Sequence, residues 1–175
     1  MKTVENNIAK NINGYSGYIS KVNKDELSYL PQGLSPPPFL NISEVVHTGF
    51  YSSTMNKRKK LSAVNELLEM CGIYDIRYRR FEDISVGEQQ RTWLAFALAQ
   101  SKDLILMDEP LSSIDLASRQ YFYKLLREVS YQGKTLLVVT HDIDMAIRYS
   151  HKIILIEDGR NAYEGNPTSF KQLYM

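Results

Sequence analysis

The chain has 175 residues, 43% of them hydrophobic, and 21 Lys+Arg stand against 20 Asp+Glu for a formal net charge of +1. That suits one domain with a real core, and the balanced charge gives no global pull toward nucleic acid or an anionic membrane. The longest unbroken apolar run, Trp93 to Ala99, is far short of the roughly 18–20 residues of a membrane span, no apolar leader opens the chain, and the single cysteine, Cys71, permits no intramolecular disulfide, so a cytosolic protein is expected.

In chain order, "DELSYLPQ" is the weakest of four strand patterns. "GLSPPPF" is a Pro-rich break, after which Asn41–His47 and Arg58–Met70 read as helices with no strand pattern between them; residues 34–84 are expected to form a small helical subdomain inserted into a sheet domain. Gly87–Gln100 is the next helical pattern, then come the apolar run of "SKDLILMDEP", a longer amphipathic helix over Leu116–Tyr131, the run of "GKTLLVVTHD", a short helix over Asp142–Tyr149 and the run of "SHKIILIEDG". Continuous apolar runs of this kind predict strands buried on both faces of a parallel sheet, and their alternation with helices predicts α/β architecture. Asp-Gly within "IILIEDGRNAYEG" signals a hairpin, which predicts an antiparallel C-terminal edge.

Strand C-termini in such sheets open onto the ligand crevice. There Asp108 is a hard oxygen donor suited to Mg²⁺, and Glu109, one residue on, is placed to polarise a water in phosphoryl transfer. A solvated acidic turn is the plain alternative. His141 ends another strand and Gln32 follows a third; either one alone reads more readily as a structural or loop residue. Ser85 and Gly87 open a helix whose free N–H groups suit an anion, while Ser85 with Glu88 three residues later also reads as a purely structural capping box. The basic stretches "NKRKK" (Asn56–Lys60) and "RYRR" (Arg77–Arg80) read as solvated faces, the twelve tyrosines as core and surface filler, and Cys71 as a packed residue without a partner.

Taken together and in order, a Gln after a strand, a helical insert, "ISVGEQQR", "LILMDEP", "SSID" and "THD" resemble the ATP-binding subunit of ABC transporters over nearly the whole chain. The resemblance implies a P-loop NTPase-like (RecA-like) α/β fold, ATP and Mg²⁺ as cofactors, and ATP hydrolysis. It makes Gln32 the Q-loop glutamine and a metal ligand, and Ser85, Gly87 and Glu88 the signature motif. Asp108 becomes the Walker B aspartate on the metal, Glu109 the catalytic glutamate, Asp115 the D-loop aspartate and His141 the switch histidine. It further implies a head-to-tail homodimer with ATP between subunits, integral membrane permease partners, no nucleic acid, and a place on the inner face of the cell membrane. "FLNISEVVHTGFYSS" and "AIRYSHKIILIEDGR" are most similar to importers of iron–siderophore, haem, cobalamin or metal ions.

Two departures stand out. Val86 replaces the first glycine of the signature, and its β-branch disfavours unusual backbone angles and fills space near a phosphate. No G-x-x-x-x-G-K-[ST] occurs in the 175 residues; "MKTVENNIAKNINGYSGYI" resembles the helix and Ser-Gly turn that follow that loop, so the fold is expected to be incomplete at its N-terminus, poorly stable by itself and a weak binder of ATP. A non-catalytic module that offers its signature motif to a partner's ATP, and a soluble ABC-type ATPase outside transport, are the alternatives.

Overall fold

The computed structural model describes residues 26–35, 37–111 and 114–175. The helix and Ser-Gly turn expected over residues 1–19, and Ser112 and Ser113 of "SSID", lie outside the described residues. Three strands, β1 (Leu27–Leu30), β2 (Leu104–Asp108) and β3 (Thr135–Val139), pair in parallel in the order β1-β2-β3. The register sets Leu30 beside Met107 and Asp108 beside Val139, so all three strands end along one edge. That edge receives Gln32, Asp108, Glu109 and His141.

Six helices are described: α1 (Ile42–Thr48), α2 (Lys57–Met70), α3 (Val86–Ala99), α4 (Leu116–Tyr131), α5 (Ile143–Tyr149) and α6 (Pro167–Tyr174). Each starts on a side chain that satisfies an orphan N–H of its first turn: Asn41, Asn56, Ser85, Asp115, Asp142 and Asn166 respectively. Between β1 and α3 the structure holds α1, α2 and two 3₁₀ turns at Tyr74–Ile76 and Phe81–Asp83, with a single isolated bridge, Asn41 to Arg80. Helix α3 carries buried residues around much of its circumference (Thr92, Leu94, Ala95, Ala97, Ala99) because it packs against α1, α2 and β1 together. One continuous core therefore joins Ile42, Val46, Val64 and Leu68 of the helical segment to Ile105 and Met107 of the central strand. A Cβ on Gly49 would stand 2.6 Å from the Phe96 carbonyl oxygen and 2.7 Å from the Ala99 Cβ, so glycine there is what lets the end of α1 lie so close to α3.

Two expectations need correcting. Only β2 is buried through its middle, with Ile105, Leu106 and Met107 all at 0% exposure; β3 is half-buried, since it lies at one margin of the described sheet. The run "IILIE" does not join the parallel sheet among the described residues. As β4 (Ile153–Glu157) it pairs antiparallel with β5 (Arg160–Gly165) in a separate two-stranded sheet. The antiparallel edge predicted for the C-terminus is thus a hairpin of its own. Asp158 (φ 47°) and Gly159 (φ 73°) both adopt positive φ, the signature of a type I′ turn, and so tight a turn allows no parallel crossover.

Cys71 is free and fully buried, and burial pushes its thiol up to about 12. The "RYRR" cations do local structural work: the Arg77 guanidinium lies 3.9 Å over the Tyr74 ring, and Arg79 donates to the Asp83 carbonyl at 2.9 Å.

Candidate nucleotide and metal site

The apolar stretch of β2 ends at Asp108, and Glu109 turns the chain out of the sheet with a positive φ of 45°. This is a left-handed conformation that non-glycine residues adopt at a cost of about 1–3 kcal/mol, and such strain is concentrated where a side chain must be aimed. The turn is held because the Glu109 N–H still donates to the Val139 carbonyl at 2.9 Å, and Pro110 follows with no N–H to extend the ladder. Gln32 reaches the same place from β1 through a turn whose next residue, Gly33, has φ 70°. Gln32, Asp108 and Glu109 line one cleft together with Gln90 and Trp93 from α3 and Phe122 from α4.

His141, two residues beyond β3, meets the cleft through its partner: its Nδ1 lies 2.8 Å from Glu109 Oε2. The Glu109 side chain is 17% exposed and the imidazole 74%. Donation from Nδ1 to the carboxylate leaves Nε2 as the second, uncommitted nitrogen. Asp108 and the Gln32 amide make no hydrogen bond or ion pair among the described residues, and both offer hard oxygen donors to the cleft, which suits Mg²⁺. No group of three or more His, Cys, Asp or Glu side chains converges on a metal among the described residues. A Mg²⁺ at Asp108 and Gln32 would therefore complete its shell with water and substrate oxygens, as that ion ordinarily does.

Ser85, Gly87 and Glu88 form a second group, apart from the cleft lining. Ser85 caps α3; its N–H and Oγ donate to Glu88 Oε2 at 2.8 and 2.7 Å, and the Glu88 N–H donates back to Ser85 Oγ at 3.3 Å. A Cβ on Gly87 would stand 3.5 Å from Ser118 Oγ, in the first turn of α4, and Asp115 accepts from the Ser118 N–H at 3.0 Å. Two helix N-termini thus lie side by side, with Ser85, Gly87, Glu88 and Asp115 around them. Val86 is the first helical residue and is 45% exposed, so the backbone makes no demand there that a β-branched residue resists.

Burial alone raises the Glu88 carboxyl, but donation from the Ser85 hydroxyl and N–H outweighs it, with Arg91 and Arg79 adding to the effect, and the net shift is downward. A carboxyl lowered on folding contributes stability that is fully present above its unfolded value and is lost as pH falls through its folded value. Ser85→Ala is therefore expected to cost about 1 kcal/mol at neutral pH and to flatten the acid limb of the stability curve, both read by urea unfolding at a series of pH values. Asp115 is likewise held below its ordinary value, chiefly by the Ser118 N–H.

Gln90, Trp93 and Phe122 line the cleft although nothing in their residue types singled them out. Gln90 and Trp93, three apart on one helix, share a face of it, and that spacing was the available signal.

A family model described as ABC transporter matches residues 3–112. A probable siderophore transport system ATP-binding protein, YusV of Bacillus subtilis (strain 168), is 36% identical over 148 residues, 81% of this chain and 54% of that protein. A phosphonates import ATP-binding protein, PhnC of Trichormus variabilis (strain ATCC 29413 / PCC 7937), is 40% identical over 111 residues, 63% of this chain and 45% of that one. The chain spans about half the length of these curated relatives. Among solved structures, a metal-chelate type ABC transporter in an inward-facing conformation superposes with a TM-score of 0.82 at 22% identity, covering 96% of this chain and 68% of that one, which establishes the P-loop NTPase-like fold with its helical insertion. This chain belongs to the ABC transporter ATP-binding family.

Proposed function

We propose that this chain works as an ATP-hydrolysing subunit of an ABC importer of metal ions or metal chelates, and that it pairs head to tail with a second ATP-binding subunit beneath integral membrane permease subunits. The observation that carries the reading is the cleft at the strand ends, where Gln32, Asp108 and Glu109 come together with Glu109 held by His141 at 2.8 Å. In this reading Asp108 and Gln32 hold Mg²⁺, whose charge offsets that of the phosphate oxygens. Glu109 takes the proton of the attacking water, and His141 orients that water and the terminal phosphate. Ser85, Gly87, Glu88 and Asp115, grouped at the paired helix N-termini, face the nucleotide of the opposing subunit. Residues 34–84 form the helical subdomain that meets the permease. None of the 175 residues form G-x-x-x-x-G-K-[ST], the loop whose backbone donors and lysine cradle the β and γ phosphates.

The metal-chelate assignment draws on the siderophore-transport relative and the metal-chelate type transporter; the phosphonate-import relative leaves a different solute as its competitor. No described helix is long and apolar enough to cross a membrane, and the reading places the chain at the inner membrane face through its partners. The test is affinity capture from detergent-solubilised membranes. The expected outcome is copurification with an integral membrane protein and Mg²⁺-dependent release of phosphate from ATP by that assembly. Recovery with water-soluble partners alone, or an assembly that hydrolyses no ATP, overturns the reading.

A further inference from the structure

Among the described residues the His141 imidazole has a single polar contact, and it is largely exposed. What fixes it lies on either side. Thr140 Oγ1 accepts from the Tyr123 hydroxyl at 3.3 Å and from the Asp142 N–H at 3.0 Å. The Asp142 Oδ2 is paired with Arg119 Nη1 at 2.8 Å, while its Oδ1 caps α5 through the Met145 N–H at 3.1 Å. Arg119 and Tyr123 are four residues apart and so share one face of α4, and they hold the two residues that flank the histidine. Tyr123 is 6% exposed, its ring stacks on Tyr149 at 5.9 Å, and burial pushes its phenol up, so it remains a donor. The Arg119–Asp142 pair is half-buried, which makes loss of either partner more disruptive than at an open surface. The same guanidinium donates through Nη2 to the Ile114 carbonyl at 3.0 Å, at the turn that leads into Asp115 and α4.

We propose that Arg119 and Tyr123 are positioning residues for His141: by holding Asp142 and Thr140 they set the imidazole against Glu109, and Arg119 couples that setting to the turn at Ile114–Asp115. A movement of this turn pulls on Nη2 of a group whose Nη1 is committed to Asp142. It therefore reaches His141 through two contacts, with no change needed at the sheet. The functional weight of the proposal rests on Glu109 and His141 acting in ATP hydrolysis; the geometric claim does not.

The chain has three histidines, so ring ¹H–¹³C spectra resolve His141 from His47 and His151, with His141→Gln giving the assignment. Asp142→Asn keeps a side chain that caps α5 and removes the charge pair; Tyr123→Phe keeps the stacked ring and removes the donor. Each is expected to shift or broaden the His141 signal and leave His47 in place. Arg119→Gln is expected to do the same, and Arg119→Lys to return the signal part of the way, because lysine restores the charge but cannot hold Asp142 and Ile114 in one fork. In the assembled transporter, Arg119→Gln is expected to lower kcat about tenfold or more with KM for ATP changed less than about twofold. An unmoved His141 signal in Asp142→Asn and Tyr123→Phe overturns the proposal, as does an Arg119→Lys spectrum identical to that of Arg119→Gln. If the wild-type assembly hydrolyses no ATP, the functional reading fails while the spectra still decide the positioning claim.

Discussion

Glu109→Gln is expected to lower ATP turnover by the assembled transporter about 10²–10⁴-fold, the range spanned by loss of a positioned general base, while Mg·ATP binding stays within about twofold. Glutamine keeps the length of the side chain and an oxygen that accepts from His141 Nδ1, so the 2.8 Å contact survives. It removes the one property the reading needs, the capacity to take a proton from water. The left-handed backbone at this residue, φ 45°, treats glutamine and glutamate alike, so unfolding in urea is expected to move by less than about 0.5 kcal/mol. On the proposed reading Asp108 and Gln32, which line the same cleft, would still hold the metal, which is why binding is expected to be spared. Turnover and binding must then be measured on the same preparation. A variant that retains wild-type turnover excludes Glu109 as the base, and one that loses binding in step with turnover makes it a binding residue instead.

What could be read from the sequence was local. The Ser85–Glu88 capping box is a three-residue spacing and closes with the expected contacts. The hairpin is written in Asp158–Gly159, because only residues that accept positive φ allow so short a turn. Gln32, Asp108, Glu109 and His141 could be grouped because parallel strands place their C-termini along one edge whatever the loop lengths between them. Partners across long separations were not legible. Nothing in "SRQYFY" announces that Arg119 meets Asp142, twenty-three residues later. The two-sheet arrangement was missed for a related reason. "IILIE" and "LILMD" have the same apolar pattern, and what separates their fates is the neighbour each strand finds, which the pattern does not encode. Val86 departs from the motif yet stands in an ordinary helical position, so any effect it has near a phosphate comes from its side chain and not from its backbone.

Phe81→Ala is expected to destabilise the fold by about 3–5 kcal/mol, a large share of the roughly 5–15 kcal/mol that holds a domain together. Phe81 is 0% exposed. Its ring packs on Trp93 at 5.0 Å, and Trp93 in turn meets Phe96 edge-on at 5.7 Å. Its backbone is fixed at both ends: the N–H donates to the Leu40 carbonyl at 3.0 Å, and the carbonyl accepts from Gln89 Nε2 at 3.3 Å. Truncation leaves the backbone held while the ring's volume empties, so the site cannot collapse to fill it, and the cost falls at the upper end of the range for buried rings. Phe39→Ala is the control. Phe39 is 81% exposed and has φ 67°, a strain alanine shares, so its loss is expected to change stability by no more than about 0.5 kcal/mol. Midpoints of urea unfolding with unchanged slopes decide between them. The consequence extends to the site, because Trp93 also lines the cleft beside Gln32 and Asp108. With Phe81 gone, the indole loses the ring that backs it, and its place beside the cleft is no longer fixed on that side. In a background stable enough to assemble, Phe81→Ala is therefore expected to raise KM for ATP as well as lower the midpoint. Equal midpoints for Phe81→Ala and Phe39→Ala would mean that the Phe81 ring is not packed against Trp93 as the 5.0 Å contact places it.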